Sequence, residues 1–155
     1  MCPISKAEIE QGKTYNICID NSDGNAVADY RLIYIKGILS FFYEKRRPRN
    51  DRFSNTNSNV ILRQIKDEFT KEEVDRIEEV CKRLGADYGE LDVLRDKNTK
   101  KIYVVDVAKT PCGTPNGLPK RMARLAIDEM SYVFAKNILL PATSAHEKPL
   151  CGNLL

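Results

Sequence analysis

Two aspartates on neighbouring predicted strands are the residues best placed for chemistry. Asp92 and Asp106 each stand in an apolar segment, and the polar residues 97–101 between the segments predict a hairpin turn. With a five-residue turn, Asp96 pairs with Ile102 and Asp92 lies directly opposite Asp106. Paired carboxylates lie about 4.5–5.5 Å apart at Cβ and repel each other, so they need a cation. Mg²⁺ with phosphate oxygens fits best, whereas a register shifted by a residue or two leaves both aspartates solvated at strand ends.

A basic, amide-rich segment is the second feature with potential for binding. Residues 45–52 carry five positive charges against one negative, and residues 53–59 are rich in Asn and Ser. Composition alone leaves three interpretations open: a solvated loop, a nucleic-acid patch, or a polyphosphate site bound by Arg side chains. Phe53 is the only aromatic residue interleaved with this cluster, which weakens the nucleic-acid interpretation.

The order of these features resembles the ATP-grasp carboxylate–amine ligases. The resemblance is carried by Asp92, by Asp106 after an apolar strand, and by Thr110-Pro111-Cys112-Gly113. In that family the two acidic residues bind the metals of Mg-ATP, and an Asn two residues further on completes the site. The resemblance therefore implies that Asp92 and Asp106 are metal ligands. Ala108 stands where the family has Asn, so one ligand of the family's metal site is missing.

Motifs before Asp92 extend the resemblance to the ribosomal-protein glutamate ligase, or glutathione synthetase-like, branch of that family. They are Asp29-x-Arg31, Lys45 and Arg52-Phe53-Ser54-Asn55, in the order of the branch. The resemblance implies that Arg31, Lys45 and Arg52 are the catalytic groups and bind ATP phosphates or an acyl-phosphate. It implies that Asn55 completes the cofactor-binding set by positioning the substrate. ATP and Mg²⁺ are the implied cofactors, and the implied activity is an ATP-dependent ligation.

The strand that carries Arg31 predicts a register with the strand after it. A three-residue connection at 36–38 puts Asp29 opposite Lys45 and Arg31 opposite Tyr43. A two-residue turn puts Asp29 against a glutamate instead, and like charges in that position are unfavourable. The first register is therefore favoured.

The elements that must position these residues predict an α+β domain. A capping box at Thr70 and Glu73 begins one helix and Gly85 ends it, while Pro119 begins a second helix that runs to about Asn137. We expect an antiparallel sheet of about five strands packed with two principal helices, which the resemblance equates with the C-terminal lobe of an ATP-grasp protein. The predicted strands are 14–20, 27–35, 38–45 and the two strands of the central hairpin.

The central hairpin has apolar residues at both parities, which is typical of a sheet buried on both sides. We expect one side to rest on the helices and the other to line a cleft that ends at Asp92 and Asp106. Ile102 and Val104 are expected on the same face as the two aspartates.

The bulk composition is that of one soluble domain. The chain has 155 residues with 42% apolar and 30% charged residues, and its net charge of +3 is too small to imply a nucleic-acid partner. Its five cysteines show no CxxC pair and no apolar run approaches 18 residues, so reduced thiols, no membrane partner and a cytoplasmic location are expected. We predict one domain over 1–137 and a loose tail over 138–155.

The resemblance covers only one lobe of an ATP-grasp enzyme. The implied function is the Mg-ATP- and phosphate-binding half of a carboxylate–amine or thiol ligase, acting on a nucleotide and a small carboxylate substrate. The N-terminal lobe of the family has no counterpart, so a truncated chain, a separate lobe or a homodimer partner is expected, and the isolated chain is expected to be inactive. The alternatives are a degenerate non-catalytic lobe and an RNA- or polyanion-binding module that uses residues 45–52.

Overall fold

An antiparallel sheet forms the centre of the computed structural model, which describes residues 11–12, 17–54, 56–111 and 113–140. The strand order is β4-β3-β2-β5-β6, and the short β1 pairs with β2. The six strands are β1 Ser22–Asp23, β2 Ala26–Ile35, β3 Ile38–Pro48, β4 Asn59–Gln64, β5 Tyr88–Arg95 and β6 Ile102–Ala108. The helices are α1 Lys71–Arg83 and α2 Lys120–Phe134, and α2 continues into a π-helical turn, Ala135–Leu139. The predicted α+β class is confirmed.

Helix α1 begins and ends where the sequence predicts. The hydroxyl of Thr70 accepts from the backbone N–H of Glu73, and the Glu73 carboxylate accepts from the N–H of Thr70 at 3.0 Å. Gly85 has φ 59°, and the N–H groups of Gly85 and Ala86 bond back to Lys82 and Cys81. These are the two hydrogen bonds of a Schellman motif, in which glycine is favoured because its φ is positive.

The two helices lie on opposite faces of the sheet, so the prediction that one face alone carries helices is wrong. Helix α1 packs on a core that includes Leu32, Phe42 and Leu91. Helix α2 packs on the other face, over Ile33 and Tyr43. The reason lies in β2, whose C-terminal half carries apolar side chains on the same face as the charged residues of its N-terminal half. These apolar side chains must be buried, and α2 covers them.

The β2–β3 hairpin has the predicted register at the site but not the predicted turn. Lys36 and Gly37 form a two-residue turn with φ of 46° and 87°, values that suit the tight turns of twisted hairpins. A bulge between Leu32 and Tyr34 then shifts the pairing by one residue, so that Asp29 lies opposite Lys45. Arg31 lies opposite Tyr43, as predicted.

The β5–β6 hairpin shows the same compensation. Arg95, rather than Asp96, pairs with Ile102, so the connection is one residue longer than predicted. A bulge between Asp92 and Val93 restores the pairing of Asp92 with Asp106. The bulge also changes which face Ile102 and Val104 occupy: both pack with the core under α1, so their predicted place beside the aspartates is wrong.

Two of the predicted segment boundaries need correction. Residues 17–20 are irregular and not part of the strand predicted over 14–20, and residues 13–16 lie outside the described part of the chain. The fifth long strand of the sheet is β4 rather than residues 14–20, and its Val60 is buried in the core under α2. Of the predicted tail, Ile138 packs on that same core, and residues 141–155 lie outside the described residues.

Gly89 brings β5 and β6 together closely beside the charged end of the sheet. A Cβ built at this position would lie 2.9 Å from the carbonyl oxygen of Ala108, which is backbone and has little freedom to move. We therefore expect Gly89→Ala to lower the free energy of unfolding by about 1–3 kcal/mol, the usual cost of overpacking. Urea denaturation measures this, and an unchanged midpoint would show that β6 can move away at no cost.

Candidate functional site

A cluster of charged side chains occupies one end of one face of the sheet, on β3, β2, β5 and β6. Arg31 grips the Asp92 carboxylate with two hydrogen bonds of 2.9 Å, from Nε to Oδ1 and from Nη2 to Oδ2. Lys45 donates from Nζ to Oδ1 of the same carboxylate, also at 2.9 Å. The structure therefore brings together three of the predicted site residues, from positions far apart in the chain.

The charged forms of these groups depend on one another. Burial would raise the pKa of Asp92, but the hydrogen bonds from Arg31 and the charge of Lys45 outweigh it and lower that pKa. Burial lowers the pKa of the Lys45 ammonium, and the neighbouring Asp92 only partly opposes this. Arg31 and Lys45 both donate hydrogen bonds to Asp92. The carboxylate therefore has two cationic partners, whereas the two cations share one carboxylate.

Asp106 lies directly opposite Asp92, as predicted, but in a more open position. Its side chain is exposed, and it borders an open groove of about 970 Å³ between α1 and β6. The groove opens on the α1 face, whereas the cluster lies on the other face, so the exposure of the Asp106 side chain itself is what lets a ligand reach it from solvent. Among the residues that the structure describes, no three His, Cys, Asp or Glu side chains are gathered closely enough to hold a metal ion.

Glu90 is a member of the cluster that the sequence analysis did not identify. It precedes Asp92 by two residues on β5, so the two side chains share a face. It is 4% exposed, its Oε2 lies 3.5 Å from Nη1 of Arg31, and its Oε1 has no hydrogen-bond partner within the described part of the chain. Burial raises the pKa of Glu90, and Arg31 opposes this. The alternation of Glu90 with Asp92 was the signal that could have found it.

A second ion pair lies beside the cluster, where the sequence had assigned Arg47 no specific role. Arg47 donates from Nη2 to Asp29, and the two side chains are only 10% and 12% exposed. Its Nε and Nη1 donate to the carbonyl oxygen of Arg52 at 2.8 Å and to Oδ1 of Asn57 at 3.0 Å. Asn21 donates to the other oxygen of Asp29 at 2.7 Å. Arg47 thereby ties the amide-rich loop to the sheet.

Arg52 lies at the border of the cluster rather than within it. Its guanidinium donates to the carbonyl oxygen of Ile19 at 2.9 Å and to Oδ1 of Asn21 at 2.7 Å. It also stacks over the ring of Phe53. The remaining predicted residue, Asn55, lies outside the described residues.

The basic segment 45–52 is largely used within the fold. Lys45 and Arg47 are buried, and Arg46 pairs with Glu44 and Asp23. Non-specific nucleic-acid binding depends on cations that are available to phosphates. Since these side chains have carboxylate partners, the segment offers much less of such a surface than its composition indicates.

The segment after Asp106 is rich in proline and glycine and predicts a loop that includes Ala108, but Ala108 is instead the last residue of β6. It lies directly opposite Glu90 in the sheet. The next residue, Lys109, directs its ammonium to the carbonyl oxygen of Leu84 at the end of α1. That contact fits the favourable placement of a cation at a helix C-terminus.

Comparison of the chain with protein-family models, with curated proteins and with solved structures finds no significant match. In the described part of the chain, no helix is long and apolar enough to cross a membrane.

Proposed function

We propose that this domain binds a Mg-nucleotide through its polyphosphate group, as the metal- and phosphate-binding half of an ATP-dependent carboxylate–amine or thiol ligase. One observation carries the proposal. Arg31, Lys45 and Asp92, from three adjacent strands, are joined by hydrogen bonds on one face of the sheet, and Asp106 on the fourth strand pairs with Asp92. The combination of two cations with two facing carboxylates suits a phosphate group and its divalent ion at the same time.

Any ligand that binds at this site must compete with the ion pairs that the folded protein already contains. Both oxygens of Asp92 already accept hydrogen bonds, so a cation alone must compete with Arg31 and Lys45. With a Mg-nucleotide, Arg31 and Lys45 would bind the phosphate oxygens, and Asp92 and Asp106 would be left to hold the metal ion. Metal and nucleotide should therefore bind with positive cooperativity, because each releases the partner that the other needs.

The donor atoms fit the proposed ion. Carboxylate oxygens are hard ligands, and Mg²⁺ commonly combines one or two of them with phosphate oxygens and water. When bound, Mg²⁺ would neutralise charge on the transferring phosphoryl group. Arg31 and Lys45 would orient the phosphates and stabilise the negative charge that they carry in the transition state. Ala108 offers no side-chain ligand, so water would have to complete the coordination of the ion there.

A complete enzyme also needs a surface that holds the adenine base of the nucleotide and excludes water from the reacting groups. The cluster described above contains charged groups and no aromatic clamp for a base. We propose that a separate lobe or a second copy of this chain supplies that surface. The carboxylate and the amine or thiol would then meet at the junction.

Asp106→Asn tests the proposal without disturbing the buried part of the cluster. We expect this change to weaken binding of Mn²⁺ with a non-hydrolysable ATP analogue by about 10–100-fold, because an exposed metal ligand loses its charge. Asp87→Asn is the matched control, since Asp87 is an exposed carboxylate beyond the far end of β5. Isothermal titration calorimetry measures both variants and the wild-type protein.

The same titrations separate the alternatives. Metal should bind more tightly in the presence of the nucleotide than in its absence. If the wild-type protein binds neither, the cluster is a structural ion network and the domain is a degenerate lobe. Binding of RNA that falls steeply with salt and ignores Mg²⁺ would instead favour the polyanion-binding alternative.

A further inference from the structure

Glu90 presents an energetic problem that the described residues solve only in part, although the backbone of Gly113 hydrogen-bonds its carboxylate. It is 4% exposed, and Oε1 of its carboxylate has no hydrogen-bond partner among them. A buried carboxylate oxygen without a partner is costly, and such atoms are uncommon in folded proteins. The hydroxyl of Tyr43, directly opposite Arg31 on β3, is also buried without a partner in that part of the chain. These two atoms indicate that the charged end of the sheet is built for an additional ligand.

The Arg31 guanidinium lies between two carboxylates of the same strand. It holds Asp92 through Nε and Nη2 at 2.9 Å, and its Nη1 is 3.5 Å from Oε2 of Glu90. Glu90 and Asp92 are two residues apart on one face of β5, so their Cα atoms lie about 6.8 Å apart. A guanidinium is large enough to span such a pair, and it keeps the carboxylates further apart than a metal ion would.

We propose that Glu90 is a third carboxylate ligand for the divalent cation, and that this ion replaces the guanidinium of Arg31 between Glu90 and Asp92. This inference rests on the proposed function, in which the phosphates draw Arg31 away from the cluster. Removal of Arg31 leaves the buried Glu90 and the partly exposed Asp92 without their shared cation, and a divalent ion restores the balance. Magnesium–oxygen distances of about 2.0–2.1 Å then require the carboxylates to approach each other.

Ala108 makes that approach possible. It lies directly opposite Glu90 on β6 and presents only a methyl group to the shared face. Ala108 therefore places no large side chain between Glu90 and Asp106, two residues earlier on β6, and the Glu90 carboxylate would exchange its hydrogen bond with the backbone of Gly113 for the ion. Glu90 of β5 would thus supply a metal ligand directly beside Ala108, the position that has no polar side chain.

A metal-only experiment tests the inference without any nucleotide. In Arg31→Met the guanidinium is gone, so we expect Mn²⁺ to bind at least about tenfold more tightly than to the wild-type protein, as measured by electron paramagnetic resonance of free Mn²⁺. Adding Glu90→Gln to Arg31→Met should abolish the gain, because the amide offers no charge. Adding Asp87→Asn instead should preserve it, since that carboxylate is remote. Circular dichroism and a melting curve verify that each variant is folded.

Tyr43→Phe distinguishes the inference from a simpler arrangement. If a trapped water or the tyrosine hydroxyl alone satisfies Glu90, Arg31→Met should show no gain in Mn²⁺ affinity, and that result overturns the inference. If Glu90 is a ligand, Arg31→Met with Tyr43→Phe should keep the gain. Arg31→Gln replaces Arg31→Met if the latter does not fold.

A nucleotide experiment distinguishes the two proposals from each other. Glu90→Gln alone should weaken binding of Mn²⁺ with the non-hydrolysable ATP analogue by about tenfold. Tight binding that Glu90→Gln leaves unchanged would overturn the role of Glu90 and leave the proposed function standing. Glu90-dependent Mn²⁺ binding by Arg31→Met, with no nucleotide binding by the wild-type protein, would support the metal site and overturn the nucleotide proposal. If both Arg31 variants fail to fold, this comparison decides alone.

Discussion

Asp92→Asn is expected to destabilise the protein by about 3 kcal/mol. The substitution removes the carboxylate that neutralises Lys45 and ends the two-point grip by Arg31, and it turns an amide N–H₂ group towards those donors. Breaking a buried ion pair on one side costs about 3–5 kcal/mol, and the lower figure applies because the Asp92 side chain is 21% exposed. Urea denaturation at neutral pH measures the change.

Lys45→Met is the matched control for Asp92→Asn. The Lys45 side chain is 8% exposed, and its removal also removes the cost of burying an ammonium group. Asp92 keeps both hydrogen bonds from Arg31, so we expect a stability within about 1 kcal/mol of the wild type. Equal losses from the two variants would contradict the asymmetry that the geometry indicates.

The pH dependence of the loss in Asp92→Asn has a definite sign. The folded-state pKa of Asp92 lies below its ordinary value of 3.8, so its ionised form stabilises the folded state. That contribution is fully present above the ordinary value and disappears as the pH falls through the folded-state pKa. The difference in unfolding free energy between the wild type and Asp92→Asn should therefore shrink only below about pH 4. A difference that shrinks between pH 6 and pH 8 would indicate another titrating group.

Arg47→Met is expected to cost about 3–5 kcal/mol, because it leaves the buried Asp29 without its cation. The carbonyl oxygen of Arg52 and the amide of Asn57 lose their donors in the same step. Unlike the loss of a surface ion pair, this loss should change little between low and high salt, because buried charges are poorly screened. The midpoint of urea denaturation at two salt concentrations measures both effects.

Two further variants assign the effect of Arg47→Met to the ion pair. Arg49→Met changes an exposed arginine of the same basic segment and should remain within about 0.5 kcal/mol of the wild type. Asp29→Asn combined with Arg47→Met removes both charges and should recover part of the lost stability. If the double variant is no more stable than Arg47→Met, the loss comes from the loop contacts rather than from the uncompensated carboxylate.

Local signals in the sequence were sufficient for the features that depend on neighbouring residues. The capping box at Thr70 and the glycine at 85 determine the ends of α1, because both act through hydrogen bonds within one or two turns. The pairings of Asp29 with Lys45 and of Asp92 with Asp106 were predicted from turn lengths that are each wrong by one residue, and they occur because a bulge in each hairpin compensates. The roles in metal and phosphate binding remain predictions.

Tertiary structure decided how those pairings are reached. Lys36 and Gly37 form a two-residue turn, which is the favoured length for a hairpin. The pairing of Asp29 with Lys45, however, requires a register shifted by one residue from the register that this turn sets. A bulge reconciles the two demands, and a second bulge does the same between β5 and β6. Bulges depend on contacts across the sheet, so turn lengths read from the sequence could not reveal them.

Burial was the other property that only the folded chain determined. In the sequence, nothing distinguishes Glu90, Arg47 and Arg52 from other charged residues. Their residue types do not reveal which of them will be buried. In the structure Arg47 and Glu90 are buried, while Asp106 on the neighbouring strand is exposed. The difference arises because β5 lies inside the sheet and β6 lies at its edge. Position in the strand order, which is set by long-range pairing, therefore decided which charges must find partners within the protein and which can remain available to a ligand.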